Sequence, residues 1–316
     1  ISAYGFPSLG AKGGILKPEL TVDLFAVSTI FLLNGLALPS RELAKAALDI
    51  RLNGLIQFIN LVLVPFLAIP LCAILRASSL IEPSVVDGLL AMACLPTTVN
   101  MCIVLTQSAS GNVAVSLFNA VLGNMLGVFV TPLAIFTLLG TNLVGVSYLQ
   151  VMAKLSKKVL LPVVIGQLLR GTKLAAYRAR HKKVFGRVSE VLLLSIVYTT
   201  FCDTFVKGYG FIQFQTLAFL FALLPLCHLI VFRFTLAVTR LPVLKLGRDK
   251  QVAAAFVSSH KTLAFGVPLL KTLFQGHPNL ALICAPLLII HPLQLLIGST
   301  LVPSLKRYVE ENNPDE

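Results

Sequence analysis

Long uncharged, apolar runs are the feature that most constrains the fold of this chain. Residues 52–75, 88–153, 208–232 and 272–305 contain no Asp, Glu, Lys or Arg. A helix needs about 20 apolar residues to cross the hydrocarbon core of a bilayer, and each run is long enough for at least one crossing. The runs lack the alternation that is typical of a membrane β-strand. The sequence therefore predicts an all-α polytopic membrane protein.

Composition and charge exclude the main classes of soluble protein. Hydrophobic residues make up 56% of the chain and charged residues 12%, whereas soluble domains are about a quarter charged. The formal net charge of +13 does not indicate nucleic-acid binding, because the cations lie in short connections between apolar runs, where they mark the cytoplasmic side of a membrane. Ser259 and His260 are adjacent in sequence. Their side chains would therefore point apart on a helix and could not act together as a catalytic pair. We predict no catalytic residues and no enzyme activity.

The cysteines indicate packing and not metal binding. All six fall inside apolar segments, and none has the spacing of a metal-ligand pair. We interpret them as small apolar residues, and we expect no cofactor beyond the sodium ion considered below. The six are Cys72, Cys94, Cys102, Cys202, Cys227 and Cys284.

Turn signals divide the chain into nine predicted membrane spans. Prolines recur in spans that are five apart, which would give two halves of opposite orientation, as in inverted-repeat secondary transporters. We therefore predict one transporter-like domain with a first repeat over 1–142, a second repeat over 143–316 and a cytoplasmic tail over 305–316. The predicted spans are 20–38, 52–75, 86–106, 113–139, 148–170, 188–206, 212–236, 251–274 and 279–304.

The distribution of Lys and Arg predicts the orientation of the chain. Sixteen of the 26 cations lie in the connections on one side, eight on the other side and two within spans. Because basic residues favour the cytoplasmic side, the C-terminus is predicted to be cytoplasmic, in a membrane that the sequence does not identify. Nine spans would place residue 1 outside, so we expect a further helix upstream. The basic segment 170–187 is interpreted as a topology determinant, with anionic lipid or a protein partner as alternative roles.

A lysine and several hydroxyls interrupt the second-last span, in "VSSHKTLAFGVP" at 257–268. Lys261 lies about midway between Lys250 and Lys271, and ten helical residues extend about 15 Å, too far for the ammonium to reach the interface. A lysine at this depth costs about 3 kcal/mol on insertion scales. We therefore expect Lys261 to face a polar cavity or a partner. An interfacial position in a shifted span is the alternative.

Further polar residues indicate a binding site formed by interrupted helices. The sequence "ACLPTTVNM" at 93–101 breaks another apolar span, and interrupted helices expose carbonyls and helix ends to an ion or a substrate. A proline kink capped by threonines is the alternative there, and simple interhelical hydrogen bonding is the alternative for the other residues. The predicted ion- or substrate-binding residues are Gln57, Thr98, Asn100, Ser116, Asn119, Ser258, Ser259, His260, Lys261 and Thr262.

Two smaller polar groups complete the predicted site. The first comprises Thr199, Thr200 and Asp203, in "VYTTFCDTF" at 197–205. Asp203 either pairs with a cation in a transport path or caps the end of its span. The second group, on the last span, comprises His291 and Gln294.

Several long motifs make the chain resemble a known transporter family. The sequences "SSHKTLAFGVPLLKTLF", "YTTFCDTF", "GGILKPELTV", "NGLALPS" and "PLLIIHPLQLLIGSTLVP" are similar to those of the bile acid:sodium symporter family (solute carrier family 10), in its branch of sodium/bile acid cotransporter 7-like proteins. The resemblance covers nearly the whole chain. It implies ten helices in two inverted repeats, a panel and a core domain, and broken helices that cross at 86–106 and 251–274. The first panel helix would be missing from this chain, and Asp203 would lie on the panel side.

The resemblance also implies which residues would hold sodium. Gln57 and Ser116 match family residues, and only half of a Ser-Asn pair remains at Asn100. Ala120 stands where the family has a coordinating threonine. The family's sodium-bridging glutamate falls near Ser258, so that acid is absent from this chain.

Lys261 lies in the same loop as the missing acid, and its ammonium would repel Na⁺ at close range. We hypothesise that Lys261 replaces a sodium ion, either permanently or by gaining and losing a proton. The sequence thus predicts a secondary active transporter of a small organic anion that works by alternating access and is coupled to sodium or protons. The alternative is a membrane regulator of cellular calcium homeostasis without substrate flux of its own, since members of this branch are associated with that process.

Overall fold

All regular structure in the described part of the chain is helical. The computed structural model describes residues 5–37, 46–139, 147–206, 213–274, 277 and 279–311. The helices are α1 (Pro7–Gly10), α2 (Pro18–Leu20, the π-helical segment Thr21–Ala26, and Val27–Ala37), α3 (Ile50–Phe58, the π-helical segment Ile59–Leu63, and Val64–Ser78), α4 (Pro83–Ala93), α5 (Val99–Ser108), α6 (Val113–Leu139), α7 (Tyr148–Leu155, the π-helical segment Ser156–Leu160, and Leu161–Leu168), α8 (Lys173–Arg180), α9 (Lys182–Val206), α10 (Phe214–Thr239), α11 (Arg248–Ser259), α12 (Leu263–Leu273) and α13 (Leu280–Glu310).

Six helical segments of the described residues are long and apolar enough to cross a membrane. They are α3, α6, most of α9, α10, the interrupted pair α11–α12, and α13. The prediction of an all-α polytopic membrane protein is confirmed. Shorter apolar helices within α2, α4 and α5, together with α7, correspond to the remaining predicted spans. Helix α13 continues to Glu310, beyond the end predicted for the last span.

Two of the predicted spans are interrupted near their centres. Residues 94–98 separate α4 from α5, and residues 260–262 separate α11 from α12. The two interruptions touch, because the backbone N–H of Thr262 donates to the Pro96 carbonyl at 2.9 Å. An unbroken helix would pair these N–H and C=O groups within itself. Here they can form hydrogen bonds from one interruption to the other in the protein interior.

The second interruption is shorter than the sequence indicated. Gly266 and Pro268 lie inside α12, which begins where Thr262 Oγ1 accepts a hydrogen bond from the Phe265 N–H. Such a bond is typical of a helix N-cap. His260 precedes it with an extended backbone. The break therefore results from capping and from bonds to other helices, and not from Pro268.

The helices pack in two groups. Helices α1, α2, α7 and α9 pack on one another, and the second group contains α3 to α6 and α10 to α13. The groups meet where α6, α12 and α13 contact α2, α7 and α9. Both interruptions lie in the second group. The proposed boundary between two repeats stays a prediction.

Glycines bring the backbones of α2 and α7 into direct contact. A Cβ built on Gly35 would collide with the backbone carbonyl of Val163, and a Cβ built on Gly166 would collide with that of Leu32. Small residues at such positions let membrane helices approach closely. Gln167 adds a hydrogen bond from Nε2 to the Gly35 carbonyl. The first helix group is thus held together by backbone-to-backbone packing.

Helix α3 is ion-paired at both ends. Asp49, which precedes it, has its Oδ2 atom 2.8 Å from Nζ of Lys250 in the first turn of α11. At the other end, Arg76 pairs with Asp87 of α4. Asp49 and Lys250 belong to two connections that the sequence predicts on the same side of the membrane, and their ion pair brings these connections together. Which end faces the cytoplasm stays a prediction.

Candidate functional site

Lys261 lies in the second interruption and is buried, with 4% of its surface exposed. Its Nζ atom contacts four oxygen atoms from three residues. The distances are 3.0 Å to the Asn60 carbonyl, 2.6 Å to Asn60 Oδ1, 2.9 Å to the Ala93 carbonyl and 2.8 Å to the Leu95 carbonyl. We call these four oxygens the ammonium cradle. They join α3 and the first interruption to the second.

Local structure explains why these oxygens are available. Ala93 is the last residue of α4 and Leu95 lies in the interruption, and carbonyls at a helix C-terminus have no partner within the helix. They also carry the negative end of the helix dipole, which favours a cation. Asn60 lies in the π-helical segment of α3. Segments of this kind disturb the regular hydrogen-bond ladder and are frequent at functional sites.

The cradle is saturated by the lysine itself. An ammonium has three N–H donors, and four oxygens surround it. All four are neutral, so the charge is compensated by carbonyl and amide dipoles. A sodium ion does not fit the same oxygens, because it would stand against the ammonium at close range. Lys261 thus fills the cradle with its own ammonium.

The main chain at Lys261 and in the helix before it is also fixed. Its backbone N–H donates to Gln294 Oε1 of α13 at 3.2 Å. Asn60, which is 1% exposed, donates from Nδ2 to the Val257 carbonyl of α11 at 3.1 Å. One asparagine therefore binds both the ammonium and the helix that leads to it.

A second polar cluster lies beside the cradle, between α3 and α6. Gln57 Nε2 donates to the Asn119 carbonyl at 2.9 Å and to its Oδ1 at 3.1 Å. Asn119 Nδ2 donates to Asn53 Oδ1 at 2.7 Å. The hydroxyl of Thr106 in α5 donates to Ser116 Oγ at 3.2 Å. The structure thus brings Gln57, Asn119 and Ser116 into one buried region, and their role in binding stays a prediction.

Three buried polar atoms in this region have no hydrogen-bond partner among the described residues. They are Gln57 Oε1, Asn124 Oδ1 and Ser258 Oγ. The helices that carry them, α3, α6 and α11, contact one another. A buried polar atom without a partner costs about 1–3 kcal/mol. These three atoms are therefore available to an ion or a water molecule. The cradle oxygens are not available, because they already bind the Lys261 ammonium.

Histidines surround the second interruption. His260 Nδ1 lies 2.8 Å from the Phe256 carbonyl and 3.2 Å from Ser259 Oγ, and its ring packs edge-on against that of His228, 4.8 Å away. His228 Nδ1 lies 3.2 Å from the Ser259 carbonyl. The described residues contain no cluster of His, Cys, Asp and Glu that could hold a metal ion. The histidines therefore support the second interruption by ring packing and hydrogen bonds.

A cavity of about 240 Å³ reaches the cradle. Apolar side chains of α3, α4, α10 and α13 line most of it. His228, Ser259, Lys261 and Gln294 form its polar part. A small molecule in this cavity would lie beside Lys261.

Other predicted residues contribute no oxygen to the cradle. Asn100 is exposed. Thr98 is the N-cap residue of α5, but its side chain forms no capping hydrogen bond. Thr199 and Thr200 donate to the Ile196 carbonyl within α9. The side chain of Asp203 lies outside the described residues. His291 is half-buried on α13.

Sequence reasoning missed Asn60. The signal was present, because Gln57 and Asn60 are two amides three residues apart in an otherwise apolar run, and such residues share one face of a helix. It also missed Asp87, which follows Pro83 in the first turns of α4 and is buried. His228, near the middle of α10, was the third omission.

Interrupted helices that meet inside a polytopic membrane bundle define a carrier class of membrane protein, in which helix ends and unwound backbone bind ions or substrates. The chain matches the SBF-like CPA transporter family over residues 1–307. It belongs to this family, which is the bile acid:sodium symporter type. It is a transporter-family protein and not an enzyme.

Similar proteins occur in vertebrates and bacteria. The chain is 39% identical over 307 residues to mouse sodium/bile acid cotransporter 7, covering 96% of this chain and 88% of the mouse protein. It is 37% identical over 306 residues to the zebrafish protein of the same name, covering 96% and 89%. An uncharacterised protein of Pseudomonas aeruginosa is 28% identical over 286 residues, covering 90% and 84%.

Substitution of Asn60 tests the cradle. We expect Asn60→Leu to lower the free energy of unfolding by about 2–3 kcal/mol, because the ammonium loses one oxygen and the Val257 carbonyl loses its donor. Unfolding of the purified protein in detergent measures this change. Asn100→Leu is the matched control, since Asn100 is exposed, and should change the same quantity by less than about 0.5 kcal/mol. Equal effects of the two substitutions would contradict the role of Asn60.

Proposed function

We propose that this chain is a secondary active transporter that moves a small organic anion by alternating access, with the Lys261 ammonium as a built-in cation. The observation that supports this proposal most directly is the ammonium cradle. Four neutral oxygens at the meeting point of two interrupted helices hold an ammonium in a chain that belongs to a transporter family. The class of cargo follows from relatives that are named sodium/bile acid cotransporters.

The position of Lys261 supports a replacement of sodium. An ion held between two interrupted helices neutralises their exposed carbonyls and binds the halves to each other. The ammonium does both, because it contacts Asn60, Ala93 and Leu95 from a residue of the other interruption. Its charge stays with the protein throughout the cycle, so the core needs no sodium at this position.

The coupling ion would use the polar atoms that Lys261 leaves free. Gln57 Oε1, Asn124 Oδ1 and Ser258 Oγ are buried without described partners. A buried water molecule can bind such unpartnered polar atoms. In this proposal the coupling ion is a proton that reaches the core through that water, and no sodium ion is required.

The two helix groups suit alternating access. The group with the interruptions would move as a unit, since α3 binds both α4 and α11 by ion pairs and Lys261 through Asn60. The group of α1, α2, α7 and α9 would be the panel. Thr199 and Thr200 of α9 are buried, and in this proposal they face the path of the anion.

Uptake into proteoliposomes tests the proposal, with a labelled bile acid as the probe. We expect the wild-type protein to take up the probe equally well when potassium replaces sodium in the medium, because no sodium gradient is required. We expect Lys261→Ala to lose uptake in potassium medium. Empty liposomes and Lys157→Ala, at an exposed lysine of α7, serve as controls.

Absence of uptake under sodium, potassium and proton gradients alike would contradict transport of this class of anion. That result would favour the regulatory role, in which the polar core senses an ion without moving a substrate. Uptake that requires sodium and is insensitive to Lys261→Ala would instead contradict the replacement of sodium by the ammonium.

A further inference from the structure

A pocket of about 570 Å³ lies at the end of the bundle where α10 and α13 end and α11 begins. This pocket is separate from the cradle and is not used by the proposed transport. Its volume is in the range of sites for small organic ligands, about 300–1,000 Å³. The lining residues are Arg240, Leu246, Gly247, Arg248, Asp249, Gln251, Tyr308 and Val309.

Two arginines in the pocket are held on one aromatic ring. The guanidinium carbon of Arg240 lies 4.4 Å from the centre of the Tyr308 ring, and that of Arg248 lies 4.5 Å from it. Arg240 Nε donates to the Tyr308 hydroxyl at 3.1 Å, and Arg248 Nη1 donates to the Tyr308 carbonyl at 2.8 Å. The hydroxyl itself donates to Gln251 Oε1 at 2.6 Å. Stacking and hydrogen bonds therefore fix both guanidinium groups before any ligand arrives.

Nearby carboxylates do not neutralise this pair fully. Asp249 Oδ2 accepts a bond from Asn112, and Glu310 pairs with Lys306 at 3.6 Å. Glu311 Oε2 lies 4.0 Å from Arg248 Nη1, and its side chain is 72% exposed. Among the described residues, no carboxylate forms an ion pair with Arg240. Both guanidinium charges lie within 4.5 Å of one ring centre, and an anion bound in the pocket would offset their mutual repulsion.

We propose that this pocket binds a phosphomonoester. Fixed guanidinium groups recognise phosphate oxygens through paired N–H donors. The N-terminus of α11 at Gly247, whose first turn also carries Asp249, adds a favourable dipole on the same side. The pocket is larger than a bare ion needs, so the phosphate is carried by an organic group. That group is either a soluble metabolite or a lipid headgroup, because the pocket lies at one end of the membrane-crossing helices.

The ligand would act on the core. Arg240 follows α10, Arg248 opens α11, and Tyr308 lies near the end of α13. A phosphate bound to both arginines links these three helices. Because α11 leads directly to Lys261, the site is a place where a phosphorylated ligand can regulate the movement of the core.

Thermal unfolding of the purified full chain tests the site. Inorganic phosphate and glycerol phosphate are titrated in detergent against potassium chloride at equal ionic strength, and nanodiscs of phosphatidylcholine are compared with and without phosphatidylinositol phosphate. A ligand that binds the folded state raises the unfolding temperature. We expect stabilisation by phosphomonoesters beyond that by chloride. Stabilisation by glycerol phosphate in detergent identifies a soluble ligand, and stabilisation confined to the nanodiscs identifies a lipid headgroup.

Substitutions locate the effect. Arg240→Gln and Arg248→Gln should each weaken binding by about tenfold or more, and Tyr308→Leu should do the same by releasing both guanidiniums. Arg307→Gln is the matched control, because Arg307 is exposed on the same turn of α13 and outside the pocket, and it should bind as the wild type does. The proposal would be overturned if phosphate and chloride raised the unfolding temperature equally. It would also be overturned if Arg307→Gln and Arg248→Gln weakened phosphate binding to the same extent.

Discussion

Lys261→Ala is expected to lower the free energy of unfolding by about 3–5 kcal/mol, because four buried oxygens lose their only shared donor. The variant should then gain a response that the wild type lacks. Sodium can enter the emptied cradle, whose oxygens lie where a small cation would bind. We therefore expect sodium chloride to stabilise Lys261→Ala more than potassium chloride does, and to have no such preference for the wild type.

The measurement is thermal unfolding of the purified full chain in the two salts at equal ionic strength. A ligand that binds only the folded state stabilises it by RT ln(1 + [L]/Kd), so specific sodium binding separates the two curves. Lys157→Ala is the matched control, since Lys157 is an exposed lysine of α7 and should leave stability and salt response unchanged. A sodium preference in the wild type that disappears in Lys261→Ala would refute the replacement of sodium by the ammonium.

Gly88→Ala is expected to destabilise the protein by about 2–3 kcal/mol. A Cβ at this position would collide with the backbone carbonyl oxygen of Ile283 and lie 2.9 Å from its carbonyl carbon. A backbone cannot swing away as a side chain can, so α4 and α13 must separate. Ala93, at the end of α4, would move with it and distort the ammonium cradle.

Gly54→Ala provides the matched control for this substitution. Gly54 lies in α3, and a Cβ there meets no atom within 4 Å. Alanine stabilises an exposed helix position by about 0.5–1 kcal/mol relative to glycine. The two Gly→Ala variants should therefore change the free energy of unfolding in opposite directions, and the same unfolding assay shows this. Changes of the same sign would show that backbone contact at Gly88 does not decide the result.

The helices of this protein could be predicted from the sequence because a bilayer requires long apolar segments with internally satisfied backbones. Helix α6 occupies the predicted residues 113–139. The first interruption, at Pro96, was also foreseeable. The second was predicted to be longer than it is, because Pro268 is tolerated inside α12 and the break is made by contacts with other helices.

The partners of Lys261 could be predicted only in part. The depth of the lysine in its span indicated a polar surrounding, and the structure buries it. Asn60 is 201 residues away in sequence, and the carbonyls of Ala93 and Leu95 carry no residue-type signal at all. Any residue in those two positions offers the same oxygen. Only the three-dimensional meeting of the two interruptions reveals them.

The covalent attachment of the cation has an electrical consequence for a carrier that works as proposed. A sodium ion leaves the protein after crossing, whereas the Lys261 charge must return with the empty core. The membrane potential would therefore act on the return step, with about 2.3 kcal/mol per elementary charge per 100 mV if the charge crosses the whole field. A bound anion would cancel that charge on the loaded step. Voltage would thus set the rate at which the empty carrier resets rather than the affinity for its cargo.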